Sequence, residues 1–148
     1  MRKLIGVMSG IVIVVVLFLV VNSEEKTTLG DLIHNEITSY NVISEIYISS
    51  IGDEFTNLTN QQEIERFMKS FSEMDLKEVD DAPDVQYSIM IRTEENDEMT
   101  VAVGEERIDV WTNQDGNGSE LGGMYEIVED NSLLDFIQRS NYEWESRS

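Results

Sequence analysis

The stretch VQYSIMIRTEENDEMTVAVGEERIDVWT, residues 85–112, decides how the rest of the chain is read. Within it Val85, Tyr87, Ile89 and Ile91 stand at every second position. Met99, Val101 and Val103 do the same, and so do Ile108 and Val110. A period of two places each set on one face of a strand. The connections EENDE and GEE are short enough for hairpins, so the three runs are expected to form an antiparallel meander with one apolar face.

Reading outward, NVISEIYISSIGDEFTNL offers a preceding hairpin, with Ile46 and Ile48 alternating against Glu45 and Tyr47 and with Gly52-Asp53 at the turn. Thr59 and Gln62 fit a capping box, and Ile64, Phe67, Met68, Phe71 and Met74 recur at helical spacing behind it. After NQDGNGSELGG the run MYEIV reads as another strand. NSLLDFIQRS closes the pattern as a helix, capped by Asn131 or Ser132, with Leu133, Phe136 and Ile137 inward. The expected fold class is α+β: an N-terminal transmembrane helix, then an antiparallel sheet of about five or six strands with two helices on one face.

That transmembrane expectation comes from Leu4–Val21, 18 consecutive residues without a charge. As a helix they would span about 27 Å, close to the hydrocarbon thickness of a bilayer. Arg2 and Lys3 precede the run while Glu24, Glu25 and Asp31 follow it, which places the N-terminus in the cytoplasm and the remainder outside. The organisation read from this is an anchor or uncleaved signal over 1–23, a polar tether over 24–30, an extracytoplasmic domain over 31–140 and a tail over 141–148. The localisation expected is the cell membrane, in a single pass through residues 4–21. The alternative is a secreted chain cleaved near Ser23, where Val21-Asn22-Ser23 makes a poor small-residue site.

Charge and composition exclude several functions. All 30 acidic residues but only 8 of the 10 basic ones follow position 23, leaving a surplus of 22 negative charges outside the apolar run. Nucleic-acid binding, which depends on neutralising phosphates, is not expected of such a surface. With no cysteine there is no disulfide framework, thiolate metal site or cysteine nucleophile. His34 is the single histidine, so a histidine triad or a multi-histidine metal centre is not expected either.

Two groups of residues could carry function. If the aliphatic face meets the helices, Tyr47, Arg92, Arg107 and Trp111 lie on the other face with Met90 and Asp109, as stacking and charge-assisted partners for a ligand. Cross-strand pairs of these types also stabilise a solvated sheet. The second group is Asn113, Asp115, Asn117 and Glu120, oxygen-bearing residues that resemble the opening of a calcium loop. Met124 stands at its twelfth position in place of a bidentate glutamate, and Asn and Gly also make ordinary turns. No cofactor is expected apart from calcium at that loop.

The succession TLGDLIHNEITSYNVISEIYIS, TNQQEIERFMKSF, YSIMI, MTVAV, RIDVW and MYEIV, over about residues 28–140, resembles small membrane-tethered or lipid-tethered extracytoplasmic domains of unknown function from Gram-positive bacteria. The resemblance lies in element order and hydrophobic pattern. It implies an envelope-facing accessory domain and brings no catalytic residues with it. The functional expectation is therefore a tethered domain that binds a protein or cell-envelope component. The alternatives are an envelope hydrolase using a carboxylate pair or a weakly calcium-responsive domain.

Overall fold

The meander forms as β5 (Tyr87–Thr93), β6 (Glu98–Val103) and β7 (Arg107–Asn113), joined by tight connections. Asn96 adopts a left-handed backbone (φ 68°) in the first, and the Thr93 hydroxyl accepts from the Asp97 amide at 3.1 Å. The computed structural model describes residues 26–38, 42–113, 122–128 and 133–147. Among these the meander is the middle of one antiparallel sheet of nine strands. The others are β1 (Thr27–Thr28), β2 (Ile43–Ser50), β3 (Glu54–Leu58), β4 (Asp75–Val79), β8 (Gly122–Ile127) and β9 (Glu145–Ser146). Their spatial order is β1-β4-β8-β7-β6-β5-β2-β3-β9.

Register aligns the apolar residues across the sheet. Ile46 pairs with Ile91, which pairs with Met99; Ile48 pairs with Ile89, which pairs with Val101 and through it with Val110. All of these are buried, on the face that the alternation predicts. Val85 is the exception, lying outside β5 and exposed.

Three short helices cover that face: α1 (Leu29–Ile33), continued by a π-helical turn at His34–Thr38, then α2 (Gln61–Phe71) and α3 (Leu133–Arg139). The Thr28 hydroxyl caps α1 by accepting from the Asp31 amide at 3.0 Å. Asn60, one residue beyond the expected Thr59, caps α2 by accepting from the Gln62 amide at 2.9 Å. Ile64, Phe67 and Phe71 point into the core, and Phe136 of α3 meets Phe67 and Phe71 edge-on with ring centroids 6.1 and 5.2 Å away.

Topology dictates the single-sided cover. The chain passes from β1 to β2, from β3 to β4 and from β8 to β9, each time between opposite halves of the sheet. Each passage carries a helix, and all three helices bury into one core cluster. Among the described residues no crossing helix lies on the opposite face.

The expected fold is corrected in two respects. The sheet has nine strands rather than five or six, under three small helices rather than two, so strand dominates the domain. The three unforeseen strands lack a readable period: β1 and β9 are two residues long, and β4 reads Asp-Leu-Lys-Glu-Val with Leu76 alone fully buried. Among the described residues no helix is long and apolar enough to cross a membrane, so the transmembrane helix is no part of the described fold. The span expected at 4–21 and the cleavage position near Ser23 lie outside the described residues, as do Asn131 and Ser132.

The segment set apart as a tail contributes both β9 and Trp144, whose ring lies 5.9 Å from that of Tyr87 and packs against the core. Burial raises the Tyr142 hydroxyl pKa above its ordinary 10.0.

Two outcomes follow. Phe67→Ala empties the junction of α2, α3 and the sheet and is expected to cost about 3–5 kcal/mol in denaturant unfolding. Tyr142 resists ionisation when folded, so its contribution is intact below pH 10.0 and fades as pH rises through the higher folded value. Tyr142→Phe should therefore flatten the alkaline decline of stability measured by denaturant titration above that pH.

Candidate functional site: the open sheet face

The face turned away from the helices is ordered by the same register that builds the core. One row runs Asn57, Tyr47, Met90, Thr100, Trp111, Gly122 from β3 to β8. The next row towards one end holds Glu45, Arg92 and Glu98. Towards the other end Ser88, Ala102, Asp109, Met124 and Val79 share a row, and beyond it lie Arg107, Glu126 and Lys77.

This lattice separates the residues the sequence singled out. Tyr47 and Trp111 share a row but stand three strand spacings apart, about 14 Å. Arg92 and Arg107 occupy opposite ends of the sheet, since Arg92 pairs with Glu98, Glu98 with Asn113, and Arg107 lies six residues from Asn113 along β7. Arg92 is held between two carboxylates, with Nη1 at 2.6 Å from Glu45 and Nε at 2.8 Å from Glu98. The hydrogen bond that Arg92 donates to Glu98, with the negative charge of both glutamates, raises its pKa further above the ordinary guanidinium value. Arg107 reaches Asp81 at 3.8 Å.

Tyr47 has a cation of its own, which the sequence reading did not find. Arg147 donates to the Tyr47 hydroxyl at 2.6 Å, and its guanidinium lies 5.9 Å from the ring centres of both Tyr47 and Phe55. These two rings stack at 5.5 Å. Arg147 arrives there because β9 pairs with Glu54 and Phe55 of β3. A two-residue strand a hundred positions away leaves no sequence signal of that pairing.

Trp111 is different because the face beside it is hollow. Its cross-strand partner is Gly122, and any Cβ there would overlap the Val110 carbonyl oxygen, so β8 lies too close to β7 for another residue. With no side chain opposite the indole, a groove of about 430 Å³ opens, lined by Asp109, Val110, Trp111, Gly122, Gly123 and Met124. Trp111 is 36 % exposed and is the aromatic member of the large exposed hydrophobics among the described residues. A tryptophan facing a cross-strand glycine also protects that glycine's backbone in an ordinary sheet. The dipeptide Gly122-Gly123 ahead of MYEIV was the available signal for this hollow, and it reads equally well as a turn.

Asn113 ends β7, whereas Asp115, Asn117 and Glu120 lie outside the described residues. Among the described residues no group of three His, Asp or Glu side chains is placed to hold a metal ion. His34 is exposed at the start of the π-helical turn, away from the open face.

No family model matches the chain, and no curated protein or solved structure is significantly similar to it.

The Glu45–Arg92–Glu98 triad has a direct stability test. Arg92→Met leaves two carboxylates facing across one vacated position and is expected to destabilise the domain by about 1 kcal/mol, because the group is about a third exposed. The loss should shrink in 1 M salt when unfolding is compared at the two ionic strengths, since screening weakens the repulsion left behind.

Proposed function

We propose that the chain is an extracytoplasmic binding domain that engages a protein or cell-envelope component through the open face of its sheet. One observation carries this reading: the face turned away from the three described helices keeps an exposed indole, Trp111, beside a groove held open by Gly122. Large aromatic side chains are costly to leave in water and dominate the energetics of interfaces, where they sit in or beside pockets. The extracytoplasmic placement rests on the sequence order of Arg2 and Lys3, the uncharged run and then acidic residues, which is the polarity of an export signal.

A hydrolase acting through paired carboxylates is less well supported. Retaining and inverting glycosidases need two carboxyl groups across one cleft, and Asp109 is the sole carboxylate among the described groove-lining residues.

Trp111→Ala is the test. The purified variant is expected to unfold at the same temperature as the parent within a few degrees, because the indole lies on the solvated face. It should lose what the parent retains from the envelope fraction of the cells that produce it. Equal retention by both chains overturns the proposal.

A further inference from the structure

Asp109 sits on the groove side of β7, two residues before Trp111 and therefore about 7 Å from it on the same face. Its cross-strand neighbours are Ala102 and Met124, neither of which can balance a carboxylate. Arg107, two residues back on that face, is turned to Asp81 at 3.8 Å. The other arginine of the face, Arg92, is saturated by Glu45 and Glu98. The groove therefore joins an aromatic plane, a thioether and one acceptor-only anion, within a chain of net charge −20.

From this we infer that the groove is a cation-recognition site, and that its occupant is a lysine or arginine side chain from an extended basic segment of a partner protein. This rests on the open-face reading and names the chemistry of the partner. The aliphatic stem of a long basic side chain covers Trp111 and Met124 while its charged end reaches Asp109, so that stacking, cation–π attraction and a charge-assisted hydrogen bond act together. The strongly acidic chain steers such a segment towards itself before contact. The fold already makes a contact of this kind internally, where Arg147 lies over Tyr47 and Phe55.

The experiment titrates the full-length chain with a short peptide alternating lysine and serine, and with its lysine-to-glutamine counterpart. Binding is followed by calorimetry and by the two indole N–H resonances, that of Trp111 being assigned by its loss in Trp111→Phe. The lysine peptide is expected to move the Trp111 resonance and leave that of Trp144, and the glutamine peptide to move neither. Asp109→Asn and Trp111→Ala should each weaken binding at least about fivefold. The first changes only one charge among many and the second changes none, so losses of that size locate the site rather than report diffuse attraction. Equal binding by parent and both variants, or no movement of the Trp111 resonance, overturns the inference.

The two readings fail separately. If Trp111→Ala abolishes envelope retention but the lysine peptide never enters the groove, the open face stands and the cation preference falls. If the peptide enters the groove while retention is indifferent to Trp111, the cation site stands and the open-face function falls.

Discussion

Ile46, Ile48, Ile89, Ile91, Val101 and Ile108 form a continuous aliphatic surface that a single sheet cannot bury against itself. Each such side chain contributes about 1.5–3 kcal/mol when removed from water, so covering this one face is the constraint on which the domain depends. The strand order supplies the means. Five strands lie between β3 and β4, roughly 29 Å of sheet to be crossed, and an eleven-residue α2 makes much of that crossing while laying Ile64, Phe67 and Phe71 on the aliphatic rows. The passages through α1 and α3 meet the same obligation, and Phe136 locks the last helix onto the second. Because the three described helices are all used on one side, the second face must be stable in water without them.

That second face is stabilised by ion pairs and cross-strand contacts. The Glu45–Arg92–Glu98 row is compensated at its centre, and Arg147 closes the aromatic pair at the β3 edge. β9 also shields part of that edge, where Glu54 and Phe55 would otherwise offer unpaired backbone groups to another chain. Against this background the Trp111 groove stands out through its lack of internal compensation: an indole a third exposed, a carboxylate without a cross-strand cation and a glycine that admits no side chain.

The parts of this design that were legible in the sequence are those with a long enough period. Residues 85–112 revealed three central strands and their common face, and Ile64, Phe67 and Phe71 revealed the covering helix, because alternation and helical spacing both report burial directly. β4 escaped because Asp75, Lys77 and Glu78 surround its one fully buried residue, Leu76, so its membership depends on pairing with β8 rather than on its own composition. For the candidate site, sequence parity placed Tyr47, Arg92, Arg107 and Trp111 on one face. It said nothing of the distance between them, because distance across a sheet is set by strand order, and strand order is a non-local property. The close approach of β8 to β7 that makes Gly122 obligatory is equally invisible before the register is known.

The two arginines of the open face illustrate why residue type alone is a poor guide to a site. Both looked available beside aromatics in a chain poor in cations, yet an excess of carboxylates makes it improbable that any arginine on such a surface stays unpaired, and each has found an acidic partner. In a chain with 30 acidic and 10 basic residues the scarce resource is positive charge. The proposed recognition therefore turns on which carboxylates are left over, and on the shape of the surface around them. Asp109 is left over because the rows that cross β7 put an alanine and a methionine beside it, and a groove opens next to it because Trp111 faces a glycine. Both conditions come from register, so a one-residue slip of β8 against β7 would abolish the site without changing a residue of it.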